Sequence, residues 1–162
     1  PRTRQARLLS HSGHTMTLHA PYEPDNIFAK MIKGEIPCVK VYEDDIAFAF
    51  MDLFPQSKGH VLVIPKNVEA RHFLDMPTDR LGPYMERVQM IARAVDKAFA
   101  PDGIVLTQFN GAPAGQTVFY LHFHIIPRRE GEFLGRHASG RPADTEALKE
   151  MADQIIAAIE VL

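Results

Sequence analysis

The spacing of apolar positions changes along the chain, and each change marks an element. From Asp25 to Gly34, Ile27, Phe28, Met31 and Ile32 form one stripe, Asp25 or Asn26 can cap its start and Gly34 stops it, which predicts a short helix. Pro37 then forces extension. Val39 to Tyr42 alternates as an edge strand, Glu43-Asp44-Asp45 turns, and Ile46 to Met51 returns as a second strand. His60 to Pro65 is apolar on both faces, the mark of a central strand covered on both sides. Thr78 to Phe99 carries Leu81, Tyr84, Val88, Ile91, Val95 and Phe99 at steps of three and four, which predicts the longest helix. Thr78 or Asp79 is its expected cap, Pro83 lies near its start, and Pro101-Asp102-Gly103 follows its end. Ile104 to Phe109 and Val118 to Ile126 read as two further strands, and Arg128 to Pro142 as a charged, Gly-bearing loop. A last helix starts at Asp144 or Thr145, with Leu148, Met151, Ile155 and Ile159 at helical spacing.

These elements make an α+β fold: a mostly antiparallel sheet of about five strands, one long helix packed on it, and short helices at the ends. Apolar residues are 46% and charged ones 23% of 162 residues, enough for one domain with a core of its own. A net charge of −2, with Lys and Arg not gathered into a stripe, argues against a polynucleotide partner. The single cysteine, Cys38, makes no internal disulfide and fits a reducing compartment, so a cytoplasmic location is expected. No stretch approaches the roughly 18 apolar residues of a membrane span. Residues 1–23 hold Arg2, Arg4, Arg7, His11, His14 and His19 with no acid before Glu23. They read as a flexible arm or as residues upstream of a start at Met16, in preference to a transit peptide, and their histidines are given no catalytic role.

Candidate chemistry gathers between Asn110 and Arg128. In the predicted strand, Tyr120, His122 and His124 fall on one face and Leu121, Phe123 and Ile125 on the other. Two residues along a strand is about 6.6 Å, so one imidazole can attack a phosphorus atom while its neighbour touches an oxygen of the same phosphate. A neutral imidazole is a competent nucleophile. The preceding loop suits an anion: Gly111 and Gly115 permit close backbone approach, the amides of Gly115 to Thr117 can form a nest, and Asn110, Gln116 and Thr117 offer side-chain donors. His60 heads an apolar run and needs a partner. Asp52, ending the second strand, can accept both hydroxyls of a ribose. Each feature also has a structural reading, as a satisfied core histidine, a β-turn or a turn cap.

Taken together, Asn26 to Pro37 (NIFAKMIKGEIP), Phe50 to Lys66 (FMDLFPQSKGHVLVIPK) and Asn110 to Arg128 (NGAPAGQTVFYLHFHIIPR) resemble the histidine triad (HIT) family of nucleotide hydrolases and transferases. The resemblance covers about residues 25–130 and implies a HIT domain over 24–130, with the loop and helix of 131–162 packed on it. It implies a HIT-like fold, a homodimer whose sheets join, and a nucleoside monophosphate bound with its α-phosphate in the glycine loop. Matched by position, His122 is the nucleophile that becomes nucleotidylated, His124 contacts the phosphate and aids the leaving group, and His60 supports them from the neighbouring strand. Asn110, Gly115, Gln116 and Thr117 match the phosphate loop, Asp52 the ribose-binding acid, and Ile27, Phe28 and Leu53 the apolar wall around the base.

The chain departs from the family pattern twice. Tyr120 stands where the first triad histidine is expected, yet it still supplies the backbone carbonyl that holds the nucleophile; its side chain puts the contact to His60 in question. Zinc-bearing bacterial relatives carry Cys-x-x-Cys where Asn26 and Ala29 stand, completed by the histidines matching His60 and Tyr120. Three of those four ligands are missing here, and a lone histidine does not hold structural zinc, so no metal is expected. Loss of the zinc site would free position 120 to change. The resulting expectation is covalent hydrolysis of a nucleoside phosphoramidate or dinucleoside polyphosphate with release of AMP, no required cofactor, and magnesium only as a companion of a polyphosphate substrate. The Ile-Ile-Pro-Arg ending resembles the polyphosphate hydrolases more, with phosphoramidase activity kept on equal terms. Two rivals stand beside it: a nucleotide-binding module weakened by Tyr120, and a metal enzyme with His60, His122 and His124 as ligands.

Overall fold

The sheet is built around the apolar run that follows His60. In the computed structural model, which describes residues 17–137 and 140–162, that run is β3 (Val61–Pro65), and every residue of it is buried. It pairs antiparallel with β2 (Ala47–Met51) on one side and with β5 (Phe123–Arg128) on the other. The edges are β1 (Lys40–Glu43), beside β2, and β4 (Gly103–Thr107), beside β5, giving a five-stranded sheet of order β1-β2-β3-β5-β4. The expected antiparallel α+β architecture is therefore what the chain adopts.

Alternation along β2 explains the two unlike faces of this sheet. Ala47, Ala49 and Met51 join Val61, Val63 and Ile125 in a core packed under α2 (Thr78–Phe99) and α3 (Thr145–Ile159). Small alanines let the helices approach closely, and the Tyr84 hydroxyl donates to the Val63 carbonyl at 2.6 Å, pinning α2 to the central strand. Phe48, Phe50, Leu62 and Ile64 point the other way and pack with Phe28 of α1 (Ile27–Ile32) and with Tyr120. This second face, away from the long helix, carries the candidate site.

Two local expectations need correction. The helix α2 is preceded by Pro77, whose side chain cannot cap, and Thr78 is its first residue instead of its cap. Asn26, by contrast, accepts from the Ala29 amide at 2.9 Å and caps α1, and Asp144 caps α3. The strand expected from Val118 begins only at Phe123. Its missing half is held by other partners: Leu121 N–H donates to the Ala70 carbonyl at 2.9 Å, and Gln116 Nε2 donates to the Val118 carbonyl at 3.0 Å. Of the N-terminal residues, 17–20 lie against this same chain, with Arg71 donating to the carbonyls of Thr17 and Ala20 and His72 Nε2 2.8 Å from that of Leu18. His19 takes no part in the site, and His11 and His14 lie outside the described residues.

Candidate active site

A cleft of about 590 Å³ opens on the second face, lined by Ile27, Phe28, Asp52, Leu53, Thr117, His122 and His124 among others. Register explains why two histidines from different strands meet there. His124 pairs with Leu62, so it shares a face with the residues two positions either side, and His60 is one of them.

The hydrogen bonds then fix the protons on each ring. Gln56 N–H donates to Nδ1 of His60 at 3.0 Å, so the proton of a neutral His60 sits on Nε2. That Nε2 is 2.9 Å from Nδ1 of His124 and 3.3 Å from Oδ2 of Asp52. His124 accepts at Nδ1 and therefore carries its own proton on Nε2, an atom buried and without a partner among the described residues. His122 is oriented separately: its Nδ1 donates to the Tyr120 carbonyl at 2.6 Å, which leaves Nε2 with a free lone pair. The two rings stand 4.9 Å apart, and Phe28 meets His122 edge-on at 5.1 Å.

Burial keeps all three imidazoles neutral. It lowers His122 to about 4, against the opposing pull of the Tyr120 carbonyl. Burial and then the neighbouring imidazoles also lower His60 and His124 far below the usual histidine range. Asp52 moves the other way, raised by burial to about 6 although the Phe54 N–H bonded to its Oδ1 favours the carboxylate.

Not every expected donor reaches the cleft. Gln116 is 3% exposed, accepting from Gly111 N–H at 2.8 Å and donating to the Arg71 carbonyl at 2.6 Å, so its side chain braces the loop from behind. Asn110 likewise accepts from the Phe73 N–H and the Gln108 side chain. Two of the three amides expected to form a nest close turns: Gly115 N–H donates to the Ala112 carbonyl and Gln116 N–H to that of Gly111. Thr117, exposed at the cleft wall, is the loop residue left to face a ligand.

Tyr120 does not reach His60. Its phenol donates to the Pro65 carbonyl, and the ring lies in the apolar cluster with Phe28. The histidines assemble differently from the metal-enzyme expectation as well: Asp52, His60 and His124 bring donor atoms within 4.8 Å of one another, but His122 is not among them. The Gln56 N–H keeps the proton of His60 on the nitrogen a metal would need, so this set fits a hydrogen-bond relay better than a cation.

One histidine of the cleft escaped the sequence. His137, on the loop after β5, packs 4.9 Å from His124 and 5.2 Å from Phe109. A lone histidine in a charged, Gly-rich segment carries no periodic signal that would have found it.

An open sheet of this order, with paired imidazoles behind a glycine loop, defines the class, and residues 33–131 match the HIT domain. The chain belongs to the histidine triad (HIT) family. It is 36% identical over 148 residues to adenylylsulfatase HINT3 of Arabidopsis thaliana, covering 91% of this chain and 74% of that one. With adenosine 5′-monophosphoramidase hnt1 of Schizosaccharomyces pombe it shares 38% over 135 residues, covering 83% and 98%. The crystal structure of a Hit-like protein involved in cell-cycle regulation from Bartonella henselae superposes with a TM-score of 0.78 at 52% identity, covering 85% and 98%.

Proposed function

We propose that this protein is a nucleotide hydrolase that cleaves adenylyl compounds at the α-phosphate through a nucleotidyl-histidine at His122. The observation that carries the reading is the 2.6 Å bond from His122 Nδ1 to the Tyr120 carbonyl, which presents a bare Nε2 to the cleft. The adenylylsulfatase and adenosine 5′-monophosphoramidase among the relatives support an adenylyl group as the part retained.

In the first step Nε2 of His122 bonds to the α-phosphorus as the bond to the leaving group breaks. An amine departs neutral from a nitrogen protonated by solvent, and Nε2–H of His124, whose Nδ1 accepts the His60 N–H as a hydrogen bond throughout, donates to a phosphate oxygen. In the second step a water oxygen bonds to phosphorus, its proton passes to solvent and the bond to His122 breaks. AMP leaves, and His122 returns to its starting tautomer. Asp52 accepts the ribose hydroxyls, Ile27, Phe28 and Leu53 hold the base, and Thr117 donates to a phosphate oxygen. No step requires a metal. Tyr120 supports catalysis through its carbonyl alone, which is why a tyrosine is compatible with the role. For the dimer expected of the family, β4 offers an open edge with Leu106 half exposed.

The test is intact-protein mass after brief incubation with adenosine 5′-phosphoramidate, comparing the native chain with His122→Ala and His122→Gly. An adenylyl increment and AMP release confined to the native chain are expected. AMP binding without label or turnover would replace the hydrolase by a nucleotide-binding module.

A further inference from the structure

Four rings run in a row through the cleft: Phe28, His122, His124 and His137, with successive centroids 5.1, 4.9 and 4.9 Å apart. The two ends of the row are unlike. Beside Phe28 lie Ile27 and Leu53, an apolar wall. At the far end His137 leans on Phe109 and on the loop at Gly115.

His137 is held there by a clasp. Gly135 N–H donates to the Gln56 carbonyl and Gln56 Nε2 donates back to that of Gly135, each at 2.8 Å, and Ala143 N–H donates to the Leu53 carbonyl at 2.8 Å. Contact is close enough that a Cβ at Gly135 would come within 3.2 Å of the Gln56 oxygen. So placed, both ring nitrogens of His137 are shielded from solvent with no hydrogen-bond partner among the described residues. Burial disfavours its charged form, and the Gly115 carbonyl, near but outside hydrogen-bond geometry, favours it. Buried nitrogens without partners are costly unless a ligand completes them.

We propose that His137 binds the leaving group and sets a preference for anionic leaving groups, sulfate or phosphate, over neutral amines. The inference rests on the hydrolase reading above. If the base lies at the Phe28 end, the ribose leads from the α-phosphorus toward that end. In-line attack by His122 then expels the leaving group from the opposite side of phosphorus, and His137 is the next donor beyond His124. The two kinds of leaving group need different help. When sulfate departs, the P–O bond breaks and the electron pair stays on the sulfate oxygen, which needs a hydrogen-bond donor but no proton. An amine departs neutral from a nitrogen protonated by solvent and leaves no charge for a donor to hold. Removing the His137 donor therefore penalises sulfate more than amine.

The test is kcat/KM for adenosine 5′-phosphosulfate and adenosine 5′-phosphoramidate in the native chain, His137→Ala, His137→Gln and His137→Arg, with His122 labelling read by mass. His137→Ala is expected to lose about 30-fold on the phosphosulfate and less than about 3-fold on the phosphoramidate. His137→Gln, which keeps a donor, is expected to lose less on the phosphosulfate than Ala, and His137→Arg to keep the sulfate preference. Equal losses on both substrates, or none, would overturn the assignment while His122 still labels. Absence of label from either substrate in the native chain would overturn the hydrolase reading and this inference with it.

Discussion

Nε2 of His60 stands 2.9 Å from Nδ1 of His124, and the Gln56 amide on the far side of His60 decides which of them owns the proton. That contact makes His60 a positioning residue: it holds His124 in the tautomer that presents Nε2–H. In His60→Leu that constraint is gone, and labelling of His122 is expected to fall about 100-fold with amine and sulfate leaving groups alike, because both lose the donor to the phosphate oxygen. Affinity for AMP, held at the ribose and the base, should fall much less. Rapid-quench labelling on both substrates and titration with AMP check this, and equal loss of labelling and AMP affinity would argue for simple misfolding.

Asp52 predicts the acid limb of activity. Raised to about 6 by burial, it is ionised above that pH and protonated below it. A protonated carboxyl no longer accepts two ribose hydroxyls, so KM should rise about tenfold per unit as pH falls below the Asp52 value. His122, near 4, stays unprotonated across this window. Asp52→Asn should have a higher KM that no longer varies near pH 6. A limb that survives the substitution would assign it to another group.

Stability should fall in acid for a related reason. His60, His122 and His124 have folded values below their unfolded ones, so their contribution is complete above about pH 6.5 and is lost as pH falls toward 4. Asp52, raised in the fold, opposes this by binding its proton more tightly folded than unfolded. Near pH 5 the unfolded chain holds a net of about two more protons, a slope of about 3 kcal/mol per pH unit. Urea titrations at pH 6.5, 5.5 and 4.5 measure it, and a flat profile would contradict the neutral buried rings.

Tyr120 separates scaffold from chemistry. Tyr120→Phe deletes the phenol bonded to the Pro65 carbonyl and leaves that buried acceptor unpaired, costing about 1–3 kcal/mol. Its backbone carbonyl is untouched, so kcat should stay within about twofold of native. A loss of activity with unchanged stability would show that the phenol itself serves the reaction.

How much of this was written in the chain depends on the range of the interactions. The all-apolar β3 announced itself, as did the stripe of α2 and the alternation that puts His122 and His124 opposite Phe123 and Ile125, because each follows from local period. The start of β5 did not. Val118 to His122 alternates like a strand, but Leu121 finds Ala70, some fifty positions away, and no local pattern encodes that partner. Gln116 and Asn110 were legible as loop donors, whereas their inward turn depends on Arg71 and Phe73 arriving behind the loop. His137 was invisible because only the return of its loop to Gln56 puts it beside His124.

Gln56 is where these threads join, since its N–H fixes the proton on His60 while its carbonyl and side-chain amide clasp Gly135. Its amide is thus a natural probe of the closed cleft. Exchange of that one hydrogen with deuterated solvent requires the His60 bond to open, so its rate reports how often the relay and the loop part company, and a bound nucleotide analogue should slow it.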